Sequence, residues 1–325
     1  MSRTIRIASR ASKMAVTQSE IVAASLKEHF PDYEFEIITK TSLADNFQDK
    51  PLYAFGGKPV WTSELEELLA STGAESVDMI VHSLKDVPTN LPDEFKIGAV
   101  LGKSDRRDAL VVRSGLPYKT LAELPADSVV GTSSVRRTAQ LRRRFPHLQV
   151  KVIRGNDNTR LAKLDDPEQG YTCLILAAAG LLRLDLGDRI TEYLSFPHFL
   201  YAVGQGALGV EIRKNDEFAQ SLLDKIRDVP TTLVCTAERS LMRRLEGGCS
   251  IPLGVESIIS PDGVVTIEAC VTSIDGKEAA TGRLIRTIKT EEEAEMFGED
   301  LAQSMISQGA GTILEKIKEF KLGQR

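Results

Sequence analysis

Residues 4–82 switch repeatedly between two hydrophobic periods, and that switching narrows the fold more than any other feature of the 325-residue chain. TIRIA (4–8), Phe35 to Thr39 and DMIVH (78–82) read as strands. Between them, Lys13 to His29 repeats Ala15, Ile21, Val22 and Leu26 at helical spacing, and Trp61 to Leu69 is helical. Strand, helix, strand, helix, strand predicts an α/β sheet with crossover connections.

The third strand runs into His82-Ser83-Leu84-Lys85-Asp86-Val87-Pro88. Functional groups of open α/β sheets gather beyond the carboxyl ends of strands. Lys85 and Asp86 stand there, before a proline that stiffens the loop. A solvated surface ion pair is the competing reading, and position alone leaves both open. GAVLGKS, just beyond, has three residues between its glycines where a phosphate-binding loop needs four, so that motif is rejected. DRRDALVV then reads as a polar connector entering a new strand, with a domain crossing near residues 102–108.

From Gly131 to Arg160 there are seven arginines and one lysine against a single acid, Asp157. Val129-Val130 ends a strand, Gly131-Thr132-Ser133-Ser134 follows, and a helix opens with Arg136 and Arg137 in its first turn. Hydroxyls and free backbone N–H groups at a helix start suit an anion, whereas cations there oppose the helix dipole. A rule broken locally is expected where function overrides stability. A strand over Lys151 to Ile153 delivers Arg154 and, at the next helix start, Arg160; CLILAAA (173–179) is a buried strand followed by Arg183. Arginine forks bind carboxylates and phosphates bidentately and stay charged, so the ligand is expected to be polyanionic. Arg142 to Arg144 fall later in the helix and read as a solvated face.

Composition excludes several classes. Net charge is −5 and no aromatics interleave the arginines, which argues against nucleic acid. No apolar run is long enough to span a bilayer and no targeting segment is visible, so no membrane partner is expected. The four cysteines form no CxxC pair and the four histidines are scattered, which predicts a reducing, cytoplasmic setting and no metal site. No exposed apolar stripe is evident, and a monomer is expected. GQGALG (204–209) matches a dinucleotide fingerprint, but the VEIR after it is a strand rather than a helix, so it reads as a tight glycine turn carrying Gln205.

From Thr231 the texture changes. Thr236 to Leu245 is helical; VESIIS, VTIEACVTS and GRLIRTIK are alternating strands joined by PDG and IDG turns; helices cover roughly 291–307 and 312–320. This is a separate α+β domain, and LEGGCSIPLG lies at its start. Gly247 and Gly248 let a turn present Cys249 as a thiol nucleophile able to carry a covalent group; the competing reading is an inert, half-buried cysteine.

Together RIASRAS, VHSLKDVPT, VVGTSSVRRTAQL, RGNDNTRLAKLD, AAAGLLRL, AVGQGALGVE and LEGGCSIPLG, in this order across nearly the whole chain, resemble the porphobilinogen deaminase family, also called hydroxymethylbilane synthases. The resemblance implies two domains like the halves of a type II periplasmic binding protein, with the active cleft between them, plus a smaller C-terminal α+β domain with an antiparallel sheet. The implied boundaries are 1–103 plus about 201–221, then 108–197, then 227–325. It implies a dipyrromethane cofactor on Cys249 through a thioether, and the head-to-tail joining of four porphobilinogen units with release of ammonia, giving hydroxymethylbilane.

By the same resemblance Asp86 is the catalytic carboxylate. Lys85, Ser133, Ser134, Arg136, Arg137, Arg160 and Gln205 hold the cofactor. Arg10, Ser12, Arg154 and Arg183 hold porphobilinogen and the growing polypyrrole chain, whose acetates and propionates match the arginines. The chain departs from the family pattern at Ser63, Pro59, Ala44 and Asp157. A non-catalytic protein clamping an anionic ligand in a two-domain cleft is the competing function; it explains the arginines but requires neither Cys249 nor Asp86.

Overall fold

A computed structural model describes residues 3–41, 62–245 and 251–322. Cys249 with its two glycines, Ala44 and Pro59 lie outside the described residues. The chain divides into two compact units: Met1–Ser104 with Gly204–Thr232, and Asp105–Val203 with Leu233–Arg325.

In the first unit, strands β1 (Thr4–Arg10), β2 (Glu34–Lys40), β3 (Met79–Ser83), β4 (Phe95–Leu101) and β10 (Leu208–Arg213) form a sheet of order β2-β1-β3-β10-β4. β1 is parallel to β2 and β3, while β10 is antiparallel to β3 and β4. Apolar side chains alternate to both faces, as a covered sheet demands. Ile5, Ile7, Met79 and Val81 meet α1 (Lys13–His29) through Val22 and Leu26. Ala8 and Ile80 meet α2 (Ser63–Ala70) through Leu65 and Leu69, while α6 (Glu217–Leu223) adds Leu222 and Leu223 to the core on the α1 face. Ser12 starts α1 by accepting the Ala15 N–H at 3.3 Å, which satisfies one donor of the first turn. The GAVL of the rejected phosphate motif lies in β4.

The second unit holds β5 (Asp108–Val112), β6 (Val129–Gly131), β7 (Gln149–Lys151), β8 (Cys173–Ala177) and β9 (Glu192–Leu194), in the order β7-β6-β8-β5-β9. Around them are α3 (Val135–Arg144), α4 (Asp157–Asp165) and α5 (Ala178–Arg183). β6 is parallel to β7 and β8, and β5 is antiparallel to β8 and β9. The two sheets therefore share one topology. In each, the antiparallel strand second from the edge is the one the chain supplies from the far side of a crossing, β10 on return and β5 on entry.

The same unit contains the antiparallel sheet of β11 (Leu253–Ile259), β12 (Val264–Thr272) and β13 (Ala279–Thr287). Against it pack α7 (Val229–Arg244), α8 (Glu291–Met305) and α9 (Gly311–Leu322), sharing Leu241, Val255, Ile267, Phe297, Leu301 and Ile313. A capping box, Thr290 with Glu293, starts α8. β11 holds the segments that flank both crossings: Arg106 pairs with Glu256 at 2.5 Å, and Tyr201 exchanges two backbone hydrogen bonds of 2.8 Å with Val255.

Four local expectations change. Arg142 Nη1 donates to Ile274 O at 2.9 Å and Arg143 Nη1 to Gly276 O at 3.3 Å, so this stretch clamps the β12–β13 turn instead of facing only solvent. The strand expected at Lys151 to Ile153 is Gln149–Lys151, because it pairs with the short β6. The strand CLILAAA yields to a helix at Ala178, and Arg183 ends that helix. The helix expected from Thr236 begins at Val229.

Candidate active site

The carboxyl ends of β1 and β3 carry the candidate groups of the first unit. Arg10 is the last residue of β1, and Ser12 caps the helix that follows. At the end of β3, Gln18 and Ser83 are hydrogen-bonded at 2.8 Å, fixing the strand to α1. The chain then makes one 3₁₀ turn, Leu84–Asp86, which presents Lys85 and Asp86 half-buried while Leu84 points inward at 1% exposure.

The glycine turn that returns from the other unit is the seat for Leu84. Gly204 adopts φ +70°, and a Cβ there would lie 3.1 Å from Leu84 Cγ; one at Gly209 would lie 2.9 Å from Leu84 Cδ1. The Leu84 N–H donates to Ala207 O at 3.1 Å. The GQGALG glycines thus serve close approach and a left-handed turn, with Gln205 buried between them. Position on the chain predicts Asp86; only the packing shows why the return segment matters to it.

In the second unit the candidates again follow parallel strands. After β6, Ser134 caps α3 by accepting the Arg137 N–H at 3.3 Å, and the Ser133 hydroxyl donates to Ile153 O, tying the ends of β6 and β7 together. After β7, Asn156 caps α4, and Arg160 Nε donates to Gly155 O at 2.8 Å. Arg154 and Arg183 are half-buried, and burial lowers both guanidinium pKa values from their ordinary range.

Arg136 and Arg137 are buried and converge on Asp108, the first residue of β5, itself fully buried. Arg136 Nη1 reaches Asp108 Oδ2 at 2.8 Å and Arg137 Nη2 reaches Oδ1 at 2.7 Å. Their other Nη1 bonds run to Leu200 O at 2.5 Å and Ile175 O at 2.9 Å. Burial by itself pushes the Asp108 carboxyl up, but the two guanidiniums outweigh it and hold the group well below the carboxylate range. Burial pulls the Arg136 guanidinium down, with Asp108 opposing. The first-turn arginines that break the dipole preference are therefore anchored by an acid that sequence reading assigned to a connector. Its signal was an aspartate opening the apolar run ALVV.

Removing that acid strands two buried cations. Asp108→Asn is expected to cost about 3–5 kcal/mol at neutral pH. Because the folded pKa is depressed, the Asp108 contribution is complete above about pH 4 and declines as pH falls below it. Urea unfolding followed against pH checks both: the variant is less stable at pH 7, and its acid-side slope is shallower than the parent's.

A family model described as "Porphobilinogen deaminase, dipyromethane cofactor binding domain" matches residues 5–221, and "Porphobilinogen deaminase, C-terminal domain" matches 232–307. The porphobilinogen deaminase of Yarrowia lipolytica is 53% identical over 96% of this chain and 92% of its own length. That of Eremothecium gossypii is 51% identical over 97% of each, and that of Saccharomyces cerevisiae 46% identical over 97% of each. Among solved structures, the periplasmic aliphatic sulphonate binding protein SsuA of Escherichia coli overlays with a TM-score of 0.40 at 13% identity, covering 76% of each chain. Two family models in chain order, with relatives near half identity over almost their full lengths, exceed any local likeness, and the chain belongs to the porphobilinogen deaminase family.

Proposed function

We propose that Asp86 is the catalytic carboxylate of this transferase, that Cys249 carries its dipyrromethane, and that the arginines at the strand ends of the second unit bind the carboxylates of cofactor and chain. The reaction joins four porphobilinogen units head to tail and releases one ammonia per unit. The observation that carries the reading is the family match along residues 5–221 and 232–307.

The residues fit the group. Among the described residues Arg136 Nε is buried without a hydrogen-bond partner, and two guanidiniums face the Asp108 carboxylate, so a further anion is accommodated there at low electrostatic cost. Ser133, Ser134, Arg160, Lys85 and Gln205 are assigned to the cofactor. Arg10, Ser12, Arg154 and Arg183 bind the acetates and propionates of incoming porphobilinogen and of the growing chain.

When bound, the dipyrromethane supplies the free pyrrole carbon to which the first unit is joined, and it stays on the protein through the Cys249 sulfur. In each porphobilinogen the C–N bond of the aminomethyl group breaks, and nitrogen leaves as ammonia after taking a proton. The substrate becomes a methylene-pyrrolenine cation, whose methylene carbon would bond to the free α-carbon of the terminal pyrrole as that carbon gives up its proton and the ring regains aromaticity. Asp86 accepts hydrogen bonds from pyrrole N–H groups and opposes the positive charge as it develops. The seat of Leu84 under Gly204 and Gly209 holds that carboxylate in place before the charge appears.

The test is ammonia. With porphobilinogen as the only substrate, the protein releases one ammonia for each unit consumed; stoichiometric binding with no ammonia would leave a non-catalytic anion-binding protein.

The three-domain division, 1–103 with about 201–221, 108–197 and 227–325, is supported by separate cores around Val22 and Leu65, around Leu110 and Leu174, and around Phe297. A cytoplasmic monomer completes the reading. The free thiols of Cys173 and Cys270 favour a reducing compartment, and no described helix is long and apolar enough to cross a membrane. Sedimentation at a mass near 35.6 kDa checks the monomer.

A further inference from the structure

One buried polar cluster has no part in the roles assigned above. On the α2 face of the first sheet, His82 Nε2 lies 2.9 Å from Glu211 Oε2, with side chains 5% and 0% exposed. Gly209 stands directly opposite His82 in the β3–β10 ladder, so Glu211 reaches His82 along the diagonal. Glu66, in the first turn of α2, covers the pair and is itself buried. Glu66 Oε1 and Glu211 Oε1 are buried without hydrogen-bond partners among the described residues. Burial raises the Glu66 pKa and the Glu211 and Glu94 charges add to the rise, while a hydrogen bond with Thr62 and the nearby His82 oppose it.

The cluster sits behind the catalytic turn. His82 and Leu84 follow one another on the same face, and Gly209, the residue opposite His82, is also the seat of Leu84 Cδ1. On the neighbouring strand Ala8 pairs with Ile80, so Arg10 ends β1 on the same face, level with His82.

We infer that Glu66, His82 and Glu211 are positioning residues for Asp86: the buried His82–Glu211 contact and the carboxyl that covers it lock the end of β3 to β10 and α2, and through Leu84 they set the Leu84–Asp86 turn. The inference rests on the catalytic assignment of Asp86. The charged groups facing the cluster are Arg10 from β1; Arg213 from β10, bonded to Ser76, Val77 O and Asp216; and Glu94 before β4.

The experiment uses the cofactor-loaded holoenzyme. Glu211→Gln and His82→Gln are each expected to lower kcat about 10-fold or more while KM stays within about threefold and the mass on Cys249 is retained. Each change is repeated in an Asp86→Asn background. Acting through Asp86, Glu211→Gln costs little further there; a merely structural loss recurs in full. Unchanged kcat, or an undiminished loss in the Asp86→Asn background, overturns the inference. Should the pair variants fail to fold, Glu66→Gln keeps the shape of the side chain and removes its charge. It is expected to lower kcat about threefold or more with KM little changed and to cost little further in the Asp86→Asn background; an unchanged kcat overturns the inference. Near-parent turnover of Asp86→Asn alone would instead count against the catalytic assignment.

Discussion

Cys249→Ala is expected to reduce turnover on the order of 10³-fold or more while leaving the protein folded. The residue lies in the short segment between Leu245, which follows α7, and Leu253, which opens β11. Those flanking leucines are 2% and 4% exposed and belong to one core, and that core is built without Cys249. Intact mass after denaturation is the measurement. The parent exceeds its sequence mass by two linked pyrrole units, and Cys249→Ala matches its sequence mass. A matured parent of bare sequence mass, even after incubation with porphobilinogen, makes Cys249 a structural thiol and brings the anion-binding reading forward.

The second large effect belongs to Asp86. Asp86→Asn keeps the shape of the side chain and the seat of Leu84, but an amide carries no charge to oppose the cation that forms when ammonia leaves. Electrostatic groups of this kind are worth about 10²–10³ in kcat when removed singly. The loss is expected in kcat with KM little changed, and circular dichroism and thermal unfolding are expected to match the parent, because Asp86 is half-buried at a turn whose packing is carried by Leu84. Near-normal turnover would remove Asp86 from the mechanism. Beside the Cys249 result, this separates loss of the cofactor from loss of the step it serves.

Much of the protein is written locally. Period and caps alone place β1, α1, β2 and β3, because Ile5, Ile7, Val22 and Leu26 must face a core and Ser12 can cap only the helix that follows it. The same local logic finds Asp86 after a strand, Ser134 at a helix start and the hairpins of the third sheet. Tertiary structure alone decided the rest. That β10 inserts antiparallel between β3 and β4 after a long excursion depends on contacts far apart in sequence, which no window of residues encodes. The buried state of Asp108 was equally invisible, since an acid in DRRDA reads as solvent-facing until two guanidiniums are brought to it. Arg142 and Arg143 are exposed, as their place on the helix predicts, but their grip on the β12–β13 turn was invisible because that turn lies more than a hundred residues further along the chain. His82, Glu66 and Glu211 come from three elements, and only the sheet register and the helix above it place one imidazole against two carboxyls. Local sequence fixes what a residue can do alone; charges that must neutralise one another in the interior are assigned only when the chain closes around them.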